Sequence, residues 1–266
     1  MLLKWLRRRR RKRIVAKPFP NGWNAILTAN VFYDQQLSEQ QRVRLRRSTQ
    51  IFVAEKNWEG CGGLEITDEI KVTIAAQVCL LVLGLGDMYF DHVLSILVYP
   101  DSYVARDVAI TRAGVVIEGG QARSGEAWWR GPVILSWADA LAGGRHQTPG
   151  RNLVFHEFAH QLDMLNGRVV DGTPLLETEE QLQRWVKVLQ PEYERLVEDC
   201  HRGNYGLIDC YGASNVAEFF AVLTEVFFER PRLLSIHHAR LYEVLRDYFR
   251  LDPALWTGPK HSNRNH

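Results

Sequence analysis

The chain has 266 residues, 46% apolar and 24% charged, with eight Trp and nine Tyr. That composition excludes a disordered polymer and is enough for a sizeable core without disulfides or oligomerisation. The net charge of +2 hides an asymmetry: Lys4 and the run Arg7 to Arg13 supply eight positive charges, so the remainder carries +2 − 8 = −6. A mildly acidic body excludes broad nucleic-acid binding, because phosphate contacts need clustered Lys and Arg.

Residues 1–20 read as a flexible basic arm ending in Lys17-Pro18-Phe19-Pro20, whose prolines oppose helix continuation. Solvation of the arm is the expected state, with contact to an anionic surface as the alternative. From Trp23 the pattern turns helical. Ser38 and Gln41 are spaced as a capping box ahead of Val43, Leu45, Ile51 and Phe52. After the break at Gly60 to Gly63, Thr67 or Asp68 caps a second helix, which runs into the apolar segment Val72 to Leu85. That segment is shorter than the roughly 20 residues a spanning helix needs, so it is expected in the core.

The middle third changes character. Val93 to Tyr99, Val115 to Ile117 and Gly131 to Trp137 are short β-branched runs bounded by Pro, Asp and Gly, and are expected as strands of one small sheet. Beyond Gly150 the chain reads as helical to about Phe249. Cys61, Cys79, Cys200 and Cys210 show no CxxC spacing and are expected as reduced thiols. No apolar stretch of secretory type follows the basic run, so the expected compartment is the cytoplasm.

His156-Glu157-Phe158-Ala159-His160 carries the chemistry. Residues four apart share a helix face, so two imidazoles can aim at one point. Neutral imidazole suits zinc, and a catalytic site uses three protein ligands and leaves a position for water. In this pattern the glutamate after the first histidine activates that water, which makes Glu157 the candidate base. The uncharged neighbours Leu153, Val154, Phe155, Phe158, Ala159, Gln161 and Leu162 point to a buried helix, as a metal site of low dielectric requires.

A third ligand must come from elsewhere. Asn166 stands where the elongated three-histidine pattern would have its last histidine. A later glutamate is the alternative, and Ala217 to Glu229 offers three. Glu218 sits among aromatic and aliphatic residues, where an unpaired carboxylate is costly. Glu225, two turns on, is its competitor or a partner of a ligand, while Glu229 beside Arg230-Pro231 reads as solvent-facing. Asp163 is placed to accept a proton from a ligand imidazole or to lie on the helix surface. Asn215 reads as the N-cap of the glutamate helix.

The segment Phe155 to Asp163, with Tyr211-Gly212 and Ala217 to Glu229, resembles the Mlc titration factor A family of bacterial zinc peptidases. These are gluzincins, similar in catalytic core to the lethal-factor class of metalloprotease. The resemblance runs from about Trp23 to Trp256 and leaves out the arm. It implies an α+β, mainly helical zincin-like fold with a small mixed sheet beside the HExxH helix, as a single domain over 21–258 followed by a polar tail, 259–266. It implies one zinc ion per chain held by His156, His160 and Glu218, with Glu157 as base. The family's tyrosine seven residues before its ligand glutamate falls on Tyr211, and a phenol can donate to the oxyanion of a tetrahedral intermediate.

The implied activity is aminopeptidase-like hydrolysis of a peptide substrate, with Val133 to Ser136 as a strand that holds the peptide backbone. The competing reading is a regulatory protein that binds a transcriptional repressor of the Mlc type. Direct contact with nucleic acid is not expected.

Overall fold

The computed structural model describes residues 2–101, 104–105, 108–111, 114–116, 131–167 and 170–256. Helix α1 (Leu2–Val15) is followed by α2 (Asn21–Asn30), α3 (Glu39–Glu55), β1 (Asn57–Gly60), α4 (Asp68–Leu81) and β2 (Ser95–Tyr99). Next come β3 (Val104–Ala105), β4 (Val108–Thr111), β5 (Gly114–Val116), β6 (Val133–Ser136) and α5 (Trp137–Gly144). The remainder is helical: α6 (Leu153–Asp163), α7 (Glu179–His201), α8 (Val216–Glu229), α9 (Pro231–His237) and α10 (Ala239–Phe249). The fold is α+β, mostly helical.

Local signals place the helix starts. Ser38 and Gln41 form a reciprocal capping box on α3, and Thr67, rather than Asp68, caps α4 by accepting from the Ile70 N–H. From Ile70 onward α4 is buried almost all round and runs through the centre of the core. It packs on α3, α2, α5 and α6.

The sheet differs from expectation in two ways. Its described strands lie in the order β1-β2-β6 and run parallel throughout, with α4 in the β1–β2 connection, since a tight hairpin cannot join parallel neighbours. Val115 and Val116 belong instead to a separate antiparallel unit, β3-β4-β5. Ile117 and the tail 259–266 lie outside the described residues. Strand β1 carries no strong β signal in Asn57-Trp58-Glu59-Gly60; pairing with the apolar β2 recruits it.

The expected flexible arm is a helix docked on the body. Arg11 pairs with Glu55 at 2.7 Å and with Asp91, and its guanidinium lies 4.2 Å above the Tyr89 ring. Arg7 reaches Asp91 at 2.8 Å and Arg10 donates to the Ala54 carbonyl at 3.2 Å. Helix α1 ends at Val15, ahead of Pro18 and Pro20, where the prolines require it.

Candidate metal centre

Helices α6 and α8 pack face to face, and their apolar residues build a rigid frame. Phe155 meets Phe228 at a ring-centroid distance of 5.1 Å, and Phe158 meets Phe90 at 4.9 Å and Phe52 at 5.9 Å. All five rings are fully buried, each contributing about 1.5–3 kcal/mol of apolar burial. Polar side chains between the two helices are therefore held by packing on both sides.

The α6–α8 packing brings His156, His160 and Glu218 together, with one ligand atom from each lying within 4.8 Å of the others. Oε2 of Glu218 is 3.1 Å from Nε2 of His156 and 3.6 Å from Nε2 of His160. A tetrahedral ion with bonds of about 2.0–2.1 Å sets its donors about 3.3–3.5 Å apart, so the spacing and the N,N,O donor set suit a divalent metal. Asn215 orients Glu218 by capping α8, its Oδ1 accepting from the Glu218 N–H at 3.0 Å.

The electrostatics favour a cation at this point. Burial opposes charge on His156, but hydrogen bonds to Glu218 and Glu225 outweigh it and push the imidazole up to about 10. Burial likewise opposes ionisation of Glu218, yet the two histidines hold its carboxyl down at about 2. Two imidazoles and a carboxylate that together favour positive charge form a set in which a metal ion can take the place of protons, since metal binding displaces protons from its ligands.

Glu157 is raised above the usual carboxylate range by burial, despite the opposing pull of His156 and His160, and its Oε1 is buried without a hydrogen-bond partner among the described residues. Tyr211 sits in a 3-10 turn, Cys210–Ala213, whose first N–H groups are capped by Asp209. Its ring lies 6.0 Å from that of His156, and Glu218 and Glu157 are near enough to act on its phenol. Burial and the nearby Glu218 and Glu157 raise the phenol to about 12, so it stays a donor at neutral pH.

Glu225 is not beside Glu218's oxygen but behind His156: Nδ1 donates to its Oε1 at 2.7 Å, and its Oε2 accepts from the Asn152 N–H at 2.5 Å. Glu229, expected in solvent, is only 4% exposed. It accepts from Asn152 Nδ2 at 3.2 Å and pairs with His146, because the α8 stripe 218-225-229 faces α6 along its whole length. Asn152 is the hub the sequence reading missed: it caps α6 through Phe155 N–H and donates to Gln77, Glu225 and Glu229. An Asn immediately before the HExxH helix is the cap signal that could have found it.

Asp163 does not bond to a ligand imidazole. Its two oxygens accept from the Gly172 and Thr173 N–H groups at 2.7 and 3.0 Å, and it organises the loop after α6. Gly172 has φ of 77°, and a Cβ there would lie 2.4 Å from the Val216 carbonyl, so only glycine lets this loop meet α8. Nδ1 of His160 is left buried and unpartnered among the described residues.

The cysteine expectation is also corrected. Cys200 at the end of α7 and Cys210 beside Tyr211 form a disulfide, while Cys61 and Cys79 are free. The pair lies ten positions apart, and the turn that brings Cys210 back to α7 depends on tertiary packing. No helix among the described residues is long and apolar enough to cross a membrane.

A cleft of about 590 Å³ opens beside His156 and is lined by Gly143, Arg151, Asn152, Tyr211, Val222 and Glu225 among others. Comparison with known proteins agrees with the residue pattern. A family model described as glucose-regulated metallo-peptidase M90 matches residues 4–250, so the match includes most of α1, which the sequence resemblance left out. An uncharacterised protein of Synechocystis is 40% identical over 92% of this chain and 90% of its own length. Proteins named Mlc titration factor A from Cronobacter sakazakii and Salmonella agona are each 32% identical. They cover 89% and 82% of this chain and 88% and 82% of their own.

Proposed function

The chain belongs to the glucose-regulated metallo-peptidase M90 family, and on that footing we propose that it is a single-zinc peptidase of the gluzincin type. In this reading His156, His160 and Glu218 hold the ion, Glu157 is the general base and Tyr211 serves the oxyanion. The observation that carries the reading is the convergence of the three ligand atoms within 4.8 Å, with the unpartnered carboxylate oxygen of Glu157 on the same helix.

Bound zinc would supply Lewis acidity, lowering the pKa of a water to about 7 and polarising a scissile carbonyl. The chain's own residues do the rest. Glu157 accepts the water proton and returns it to the leaving amine, a role helped by a carboxyl already raised by burial. Tyr211 keeps its proton at neutral pH and donates to the carbonyl oxygen as negative charge develops there. Glu225 fixes the Nδ1–H tautomer of His156, so that Nε2 presents its lone pair to the metal. Strand β6, at an edge of the described sheet and packed on α6, supports an extended peptide laid alongside by backbone pairing.

The test is Glu157→Gln. The variant should retain one zinc per chain by metal analysis and lose hydrolysis of a peptide library; a variant with full activity would remove Glu157 as base.

The relatives' name, Mlc titration factor A, supports a second reading, capture of a transcriptional repressor of the Mlc type. The two are compatible. Incubating the Glu157→Gln protein with such a repressor separates them: a stable complex without turnover favours regulation, and cleaved peptides from the wild type alone favour a general peptidase. A repressor partner would place the protein in the cytoplasm, where Cys200–Cys210 would have to withstand reducing thiols.

A further inference from the structure

A groove larger than the cleft beside His156 lies away from the candidate metal centre, between α1 and α3, with a volume of about 930 Å³. Its walls carry Arg8 and Lys12 from α1 and Arg44 and Arg47 from α3. All four are exposed, and their side chains have no ion-pair or hydrogen-bond partner among the described residues. Arg7 and Arg11, by contrast, are committed to Asp91 and Glu55 and hold α1 in place. Asp91 and Asp87 also line the groove, Asp91 neutralised by Arg7 and Arg11, so Arg8, Lys12, Arg44 and Arg47 leave the two helix walls with an excess of positive charge whose mutual repulsion an anionic ligand relieves.

The outer side of α1 continues the pattern. At 3.6 residues per turn, Trp5, Leu6, Arg8, Arg9, Lys12 and Arg13 fall within about 160° of the helix circumference. Arg7, Arg10 and Arg11, which contact the body, and the partly buried Ile14 occupy the rest. Trp5 is 54% exposed and Leu6 46%, and Val43 beside Arg44 on α3 is also exposed. Trp and aliphatic side chains standing out of a cationic face match the boundary between headgroups and acyl chains.

We propose that the α1–α3 face docks this protein on a bilayer containing anionic phospholipid. Headgroup phosphates are held by Arg8, Lys12, Arg44 and Arg47, and Trp5 and Leu6 are seated at the interface. Charge complementarity sets the orientation: the chain carries eight positive charges in its first thirteen residues and −6 over the rest, so the body is repelled from the surface that α1 approaches. A nucleic-acid duplex fits less well. It offers no apolar layer for Trp5 and Leu6, and its length would bring phosphates against the acidic body.

The experiment is co-sedimentation of the full chain with vesicles of phosphatidylcholine alone and of phosphatidylcholine mixed with phosphatidylglycerol. Binding is expected to the mixed vesicles only and is released by salt. Each of Arg8→Gln, Lys12→Gln, Arg44→Gln and Arg47→Gln should weaken it roughly fivefold. Trp5→Ala should weaken it while leaving the salt dependence unchanged. Because the four cations are exposed and unpaired, the variants should melt as the wild type does; should the quadruple variant fail to fold, the wild-type salt titration and Trp5→Ala carry the test. Four results overturn the proposal: equal binding to both vesicle types, binding to neither, tighter binding to duplex DNA than to mixed vesicles at the same salt, or undiminished binding by a folded quadruple variant.

Discussion

Nδ1 of His156 donates to Oε1 of Glu225 across 2.7 Å, on the opposite side of the ring from the Nε2 atom that faces Glu218. One imidazole is therefore clamped between two carboxylates of the same helix, α8, placed two turns apart. Such a partner behind a ligand histidine selects the tautomer and orients the ring. Replacing Glu225 by Gln should leave the protein folded and lower zinc affinity roughly 10- to 100-fold, read by competition with a chromophoric chelator. An unchanged affinity would mean that packing of α6 alone sets the ring.

Glu218→Ala removes the proposed third donor directly. Zinc content after dialysis should fall well below one per chain, and Glu225 should not compensate because it lies on the Nδ1 side of His156. Full retention of zinc would reassign the ligand.

The disulfide ties the Tyr211 turn to α7. Serine at both Cys200 and Cys210 should cost about 3 kcal/mol for a closed loop of this length, seen as a lower melting temperature. Peptidase kcat should fall more than KM changes, because the neighbouring Tyr211 loses its fixed position beside His156. A double variant with wild-type kcat would show that Asp209 and the turn suffice to place the tyrosine.

Lys56 gives a pH signature. Burial drives its ammonium down to about 8, although Asp91 and Glu55 oppose this, while its Nζ donates to the carbonyls of Phe90 and Val93 at 2.7 and 2.9 Å. Between about pH 8 and the ordinary lysine value of 10.5 the unfolded chain binds a proton that the folded one does not, so stability rises with pH there. Its slope reaches about 1.4 kcal/mol per pH unit at most. Urea denaturation at pH 8 and pH 10 should show wild type gaining stability relative to Lys56→Met; a constant difference would mean that the lysine stays charged in the fold.

Much of the site was legible before the structure because it is local. The four-residue spacing of His156 and His160, and the caps at Ser38, Thr67 and Asn215, are consequences of helix geometry within one or two turns. No distant residue can change them. The stripe Glu218, Glu225, Glu229 obeys the same geometry, so that these carboxylates share a face was written in the chain. Their surroundings were not: Glu229 reads as exposed from its neighbours Arg230 and Pro231, yet the face it occupies is buried against Asn152 and His146.

What the sequence determined by itself was the chemistry available, namely two imidazoles and a carboxylate on one turn of a buried helix, a tyrosine, and a second helix able to supply a carboxylate. Tertiary structure alone decided which carboxylate meets which nitrogen. It also decided that Cys200 finds Cys210, that Asp163 serves a loop, and that α1 is docked by Arg7 and Arg11 while Arg8 and Lys12 have no partner among the described residues. The reason is physical. Helical periodicity fixes which side chains share a face, but the partner of that face is chosen by the whole packing problem, in which apolar burial outweighs any single polar contact.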